Sequence, residues 1–213
     1  MSTITYVEEG SKTTGTQLNE NKKQVLLIGD SIRQGYCEYT KNELSDIADV
    51  YYPEENCRSS QHIIFSLRFY ITLCNPETVD LLLFNCGHWD VAHWSGTKYS
   101  LTSHKDYKKN IGLIVDIAKQ LFPKAKIVFA TTTPMNPDVK DNKDYTNPRT
   151  TKEIIKYNSI AKKACKKLNL PIIDLFDFTK NFDASAYKDY CHYTDEKKEV
   201  IGKYVASEIT KLL

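Results

Sequence analysis

Hydrophobic positions along this chain gather into near-continuous runs that do not alternate with polar ones. Such runs stand at VLLI (25–28), VDLLLFN (79–85), AKIVFAT (125–131) and LPIIDLF (170–176), with a weaker ADVYY at 48–52. A strand with one wet face alternates apolar and polar residues; an unbroken run suits a strand covered on both faces, as in a parallel sheet flanked by helices. Between the runs, apolar residues recur at helical spacing over Tyr36–Ile47, Ser59–Leu73, Tyr107–Phe122, Lys152–Leu168 and Asp195–Leu213. In the last of these, Val200, Ile201, Tyr204, Val205, Ile209 and Leu212 form one stripe. Strand and helix in alternation predict an α/β fold, a single three-layer domain with a central sheet of about five parallel strands. Ligands of such domains sit at the carboxyl ends of the strands.

Composition narrows the functional classes. The 213 residues, 41% of them hydrophobic, can close one core without disulfides or metals. Residues 1–23 are polar and aperiodic and read as a flexible arm or peripheral strand, leaving 24–213 as the domain. Twenty-nine basic and twenty-seven acidic side chains leave a net charge of +2, and no basic stripe interleaves with aromatics. Nucleic acid is therefore not an expected partner. No apolar stretch approaches the roughly 20 residues of a membrane span, and the N-terminus lacks the apolar core of an export signal. The sequence as it stands points to the cytoplasm, with export left open if a leader has been removed. Cys37, Cys57, Cys74, Cys86, Cys165 and Cys191 form no CxxC pair, which suits reduced thiols. His88, Asp90 and His93 lie in HWDVAH, a spacing that matches no established ligand pattern, so no metal is expected. His62 reads as a structural or surface histidine.

The first apolar run leads directly into Gly29-Asp30-Ser31. A serine after a strand can cap the next helix, and it can equally be a nucleophile if a base removes its proton and donors receive the oxyanion. Asp189-Tyr190-Cys191-His192 stands just before the last helix. An Asp and a His three apart on a tight loop can place the carboxylate against one imidazole nitrogen and leave the other for a serine. Each piece alone has an ordinary structural explanation. Both, however, fall at the carboxyl edge of the expected sheet.

With these two blocks so placed, residues 24–213 resemble the SGNH, or GDSL-type, hydrolase superfamily of esterases and lipases. The resemblance implies a flavodoxin-like topology, Ser31 as nucleophile, and Asp189 and His192 completing a triad. It implies no cofactor. Oxyanion donors are expected from the Ser31 backbone, from Asn85 and Gly87 around the third block, and from Cys57, which occupies the glycine position of the second block in NCRSSQHIIFSL (56–67). The third block is Gly87-His88-Trp89-Asp90, where Trp89 stands in place of the family's asparagine and Asn85 is the nearest amide. This block, with Thr131–Pro134 and Tyr157-Asn158, is similar to a subgroup carrying N-x-G-x-[HW]-D. Asp30, Trp89, His93, Trp94 and Pro134 are expected to border the substrate. The implied substrate is an ester, with short acyl groups such as acetyl on a carbohydrate or another small molecule. An acyltransferase using the same triad and a catalytically impaired binding protein are the alternatives.

Overall fold

The computed structural model describes residues 22–139 and 146–213. The expected arm falls outside them except for its last two residues, and Lys23 already opens the first strand. Five strands, β1 (Lys23–Ile28), β2 (Ala48–Tyr51), β3 (Leu81–Asn85), β4 (Lys126–Ala130) and β5 (Ile172–Ile173), form one sheet in the order β2-β1-β3-β4-β5. Every pairing is parallel. The chain runs outward from β1 to β2, then crosses back over β1 to β3. This reversal opens a crevice between the carboxyl ends of β1 and β3, where α/β sheets bind ligands.

Because strand side chains alternate faces, each unbroken run feeds two cores. Val25, Leu27, Leu81, Leu83 and Val128 pack against α1 (Ser31–Glu43) and α7 (Asp195–Thr210). Leu26, Ile28, Leu82, Phe84 and Phe129 pack against α2 (Ser60–Ser66), α4 (His104–Leu121) and α5 (Thr151–Leu168). Each fully buried side chain of this size stabilises the fold by about 1.5–3 kcal/mol. The sheet is thereby clamped on both sides, and its strand ends make a firm platform.

Polar capping sets the helix ends where apolar periodicity could not. α1 starts at Ser31, earlier than its apolar period suggests, because Asp30 accepts the Ile32 N–H at 3.0 Å. α4 likewise starts at His104 under a Ser103 cap. Thr150 and Glu153 form a reciprocal capping box at the start of α5. The stretch expected as one helix over Ser59–Leu73 is α-helical only to Ser66 and then tightens into a 3₁₀ helix, Leu67–Thr72. The run at 170–176 also divides: Pro171 has no N–H to pair, and Asp174 caps α6 (Leu175–Thr179), leaving a two-residue β5. A short α3 (His88–Val91) follows β3 and was not apparent from periodicity. Among the described residues no helix is long and apolar enough to cross a membrane, and the six cysteines are unpaired.

Candidate active site

Ser31 enters the crevice on a turn fixed from below. Asp30, fully buried, caps α1 with one carboxylate oxygen and with the same atom accepts the Asn85 amide at 2.9 Å from the end of β3. Burial raises the Asp30 pKa, and the Asn85 and Ile32 donors work against that rise. The approach is so close that a Cβ on Gly29 would lie 1.9 Å from Asn85 Oδ1, so only glycine fits. Arg33, one turn into α1, is also buried. Its guanidinium donates to the Pro53 carbonyl at 2.7 Å, to Glu55 at 2.5 Å and to Gly29 at 3.2 Å. One side chain thus ties the Gly-Asp-Ser turn to the loop after β2.

His192 arrives from the opposite side on a turn that Asp189 closes. Asp189 Oδ1 accepts the N–H groups of Cys191 at 2.9 Å and His192 at 2.8 Å. Its Oδ2 lies 2.7 Å from His192 Nδ1, and His192 Nε2 lies 2.7 Å from Ser31 Oγ. The structure therefore brings together the three residues expected as a triad. Lys188 donates to the His192 carbonyl at 2.7 Å and closes the turn. Burial pulls the Asp189 pKa upward, but the N–H groups of Cys191 and His192 and the imidazole outweigh it and hold the carboxylate below its usual range. The His192 imidazole is pushed up to about 9 by the Cys191 sulfur and, after the opposing effect of burial, by the Asp189 carboxylate.

Arg149, which sequence reasoning passed over, ends the loop that follows β4. It is buried and donates to the His88 carbonyl at 2.8 Å, to the Tyr190 hydroxyl at 3.3 Å and to Cys191 Sγ at 3.4 Å. Its guanidinium also lies 5.2 Å from the centre of the Tyr190 ring. It fastens the start of α3 to the His192 turn. Arg33 was missed as well, although a charge on the buried face of α1, between Ile32 and Tyr36, was the available signal.

The residues expected to receive the oxyanion or the substrate are distributed differently from the expectation. Ser31 N–H stands in the first turn of α1, where helix geometry offers it no acceptor. Cys57 N–H, in contrast, donates to the Gly29 carbonyl at 3.0 Å. The left-handed backbone that favours glycine belongs to the next residue, Arg58, at φ 50°, whose N–H donates to Asn56 Oδ1 at 2.8 Å. The Asn85 amide donates one hydrogen to Asp30 and so supports the turn. Gly87 has φ 147°, and a Cβ there would meet Thr132 Oγ1 at 2.0 Å. Asp30 and Pro134 are buried, so neither presents a surface to substrate. His93 is a clasp: its ring nitrogens lie 2.8 Å from Glu153 and 3.0 Å from the Thr97 carbonyl. Trp89 and Trp94 are half-buried with ring centres 5.2 Å apart, and the Arg58 guanidinium lies 5.9 Å from the centre of the Trp89 ring.

The groups of HWDVAH do not converge. His88 is buried against Thr133, 3.1 Å away, with its pKa driven well down by burial and then by Arg149. Asp90 accepts the Ser60 N–H and hydroxyl, and burial raises it to about 6. Among the described residues, the His, Cys, Asp and Glu side chains that gather in a group of three within 4.8 Å are Asp189, Cys191 and His192.

No family model matches the sequence, and no curated protein matches it. Solved structures with the same fold do. A lipase/acylhydrolase from Enterococcus faecalis is 16% identical over 90% of this chain and 97% of its own, with a TM-score of 0.67. The aryl esterase of M. smegmatis is 15% identical over 90% and 100%, with a TM-score of 0.66. A carbohydrate acetylesterase from Sinorhizobium meliloti is 14% identical over 90% and 100%, with a TM-score of 0.64. The chain thus shares with these structures a single α/β domain built on a five-stranded parallel sheet.

Proposed function

We propose that the protein is a serine ester hydrolase in which Ser31 is the nucleophile, His192 the general base and Asp189 its orienting partner. The observation that carries this reading is the unbroken line Ser31 Oγ, His192 Nε2, His192 Nδ1, Asp189 Oδ2, with 2.7 Å at both junctions. Asp189 keeps the proton on Nδ1, so that Nε2 is free to take the serine proton as Oγ attacks the ester carbonyl. Ser31 N–H, at the positive end of α1, donates to the developing oxyanion. The protonated His192 then delivers its proton to the departing alcohol. Water, deprotonated in turn by His192, cleaves the acyl-enzyme and restores Ser31.

The substrate class we favour is a short-chain ester, such as an acetyl group, on a carbohydrate or another small molecule. The paired Trp89 and Trp94 rings support it, since flat aromatic faces suit sugar rings, and so does the likeness to structures described as acetylesterase and aryl esterase. No cofactor enters this mechanism, and a cytoplasmic site of action is part of the same proposal. The test is Ser31→Ala on p-nitrophenyl acetate. Turnover is expected to fall at least about 10⁴-fold with unchanged thermal unfolding. Undiminished turnover would remove Ser31 from the reaction.

A further inference from the structure

We infer that the turn carrying His192 also binds a divalent ion of the zinc class and that the bound ion shuts the enzyme off, a proposal about regulation that rests on the serine ester reading above. Three different ligand types gather there. Asp189 Oδ2 lies 2.7 Å from His192 Nδ1, Cys191 Sγ lies 3.8 Å from the same nitrogen, and one ligand atom from each of the three residues lies within 4.8 Å of the others. The bend of the turn brings this about. Asp189 Oδ1 accepts the N–H groups of Cys191 and His192 together, so two adjacent side chains that would point apart on an extended strand converge.

The spacing suits a tetrahedral ion. With about 2.3 Å to sulfur and about 2.0–2.1 Å to nitrogen and oxygen, tetrahedral angles set sulfur and nitrogen about 3.6 Å apart, and nitrogen and oxygen about 3.3 Å. Cys191 Sγ and His192 Nδ1 already stand near that separation. Nδ1 and Oδ2 have to part by about half an ångström as an ion replaces the proton between them. Arg149 donates to the same sulfur at 3.4 Å, and the ion has to take its place there. The Asp189 and His192 side chains are partly exposed, so water can complete the fourth position, while the buried Cys191 supplies a soft donor from the protein side. A set of imidazole, thiolate and carboxylate selects a borderline-soft ion such as Zn²⁺ over Mg²⁺ or Ca²⁺, which take oxygen ligands.

Such an ion acts on the proton relay. The Cys191 thiol loses its proton to solvent as the bond from sulfur to metal forms, and the ring proton held on Nδ1 moves to Nε2, so the imidazole stays neutral. Nε2, 2.7 Å from Ser31 Oγ, then donates to the serine and can no longer take its proton. The carboxylate that fixed the tautomer now ligates the ion. Metal binding and catalysis therefore exclude one another.

The test titrates wild type and Cys191→Ala with Zn²⁺ while following p-nitrophenyl acetate turnover, each scaled to its own metal-free rate. Half-inhibition should need at least about tenfold more zinc in Cys191→Ala. A chelator should restore wild-type turnover, and equal Mg²⁺ should leave it unaltered. Co²⁺ gives a readout independent of turnover: a thiolate-to-cobalt charge-transfer band should appear in wild type and in Ser31→Ala and be lost in Cys191→Ala. Cys191→Ser, closer in size, takes its place should Cys191→Ala fail to fold. Equal zinc sensitivity in the folded Cys191 variant, or an undiminished cobalt band there, would overturn the site. A cobalt band without zinc inhibition, in an enzyme that Ser31→Ala inactivates, defeats the regulatory role alone. Full turnover by Ser31→Ala defeats the serine reading and takes the inhibitory role with it.

Discussion

The turn that carries Ser31 and the turn that carries His192 meet across 2.7 Å, yet they are held in contrasting ways. The first is buried. Asp30 and Arg33 are almost wholly shielded from water, and their partners come from β3 and from the loop after β2. The second is half-open, with the His192 and Asp189 side chains 33% and 42% exposed; Asp189 orients His192 from within residues 188–192, and Asn136 and Arg149 tie the turn to the rest of the fold. Long-range contacts position Ser31, whereas the contact that orients His192 is three residues away. Changes to Asp30 and Arg33, which support the first turn, should act through stability, and a change to Asp189 should act through chemistry.

The largest effect expected from this contrast is that of Asp189→Asn. The amide can still accept the N–H groups of Cys191 and His192, but its NH₂ facing Nδ1 places the imidazole proton on Nε2, where it blocks the serine. Turnover should fall about 10⁴-fold, while thermal unfolding moves little. The pH profile sharpens the point. In wild type the base is neutral only as pH rises through its folded pKa of about 9, so activity should climb on the alkaline side of the ordinary histidine range. In the variant that limb should move down. The linked stability has the same sign: the raised pKa favours folding fully below the unfolded value of about 6.5, and the gain is lost as pH rises through about 9. An unshifted limb would break the assignment of Asp189 as the partner.

Arg33→Met should have the next largest effect, and in the other currency. Three carbonyls, two of them on the buried residues Gly29 and Pro53, would lose a charged donor, for a loss of about 3 kcal/mol measured as a lower urea midpoint. Arg33→Lys should recover only part of it, because an ammonium cannot reproduce the planar fork. Full stability in Arg33→Met would erase the distinction between the two turns. The smallest effect belongs to Thr150→Ala, beside Arg149. Loss of the capping box at α5 should cost about 1 kcal/mol in the same titration.

These contrasts also mark how far the chain can be read unaided. The five strands were legible because burial on both faces leaves runs of apolar letters such as those at 25–28 and 81–84. Ser31, Asp189 and His192 were legible because their chemistry demands particular side chains near strand ends. Arg33 and Arg149 were not, since their acceptors include backbone carbonyls of Pro53, Glu55 and His88, and a carbonyl has no residue identity. The same holds for Cys57 and Arg58. The alignment of blocks places Cys57 at the glycine position, but the left-handed backbone lies at Arg58, a residue type that seldom signals it. Asn85 was found by its type, but its bond to the buried carboxylate of Asp30 was not, since nothing in the sequence pairs the two.

The closed turn at 188–192 has a consequence for how this site would fail. Since Asp189 grips both the backbone and the ring of His192, a displacement of the loop carries the two away as one piece. Misalignment then stretches the ties to Asn136 and Arg149 and the gap to Ser31, and leaves the imidazole tautomer intact. Such a site would lose and regain activity by docking and undocking a preassembled unit, without rebuilding its proton relay each time.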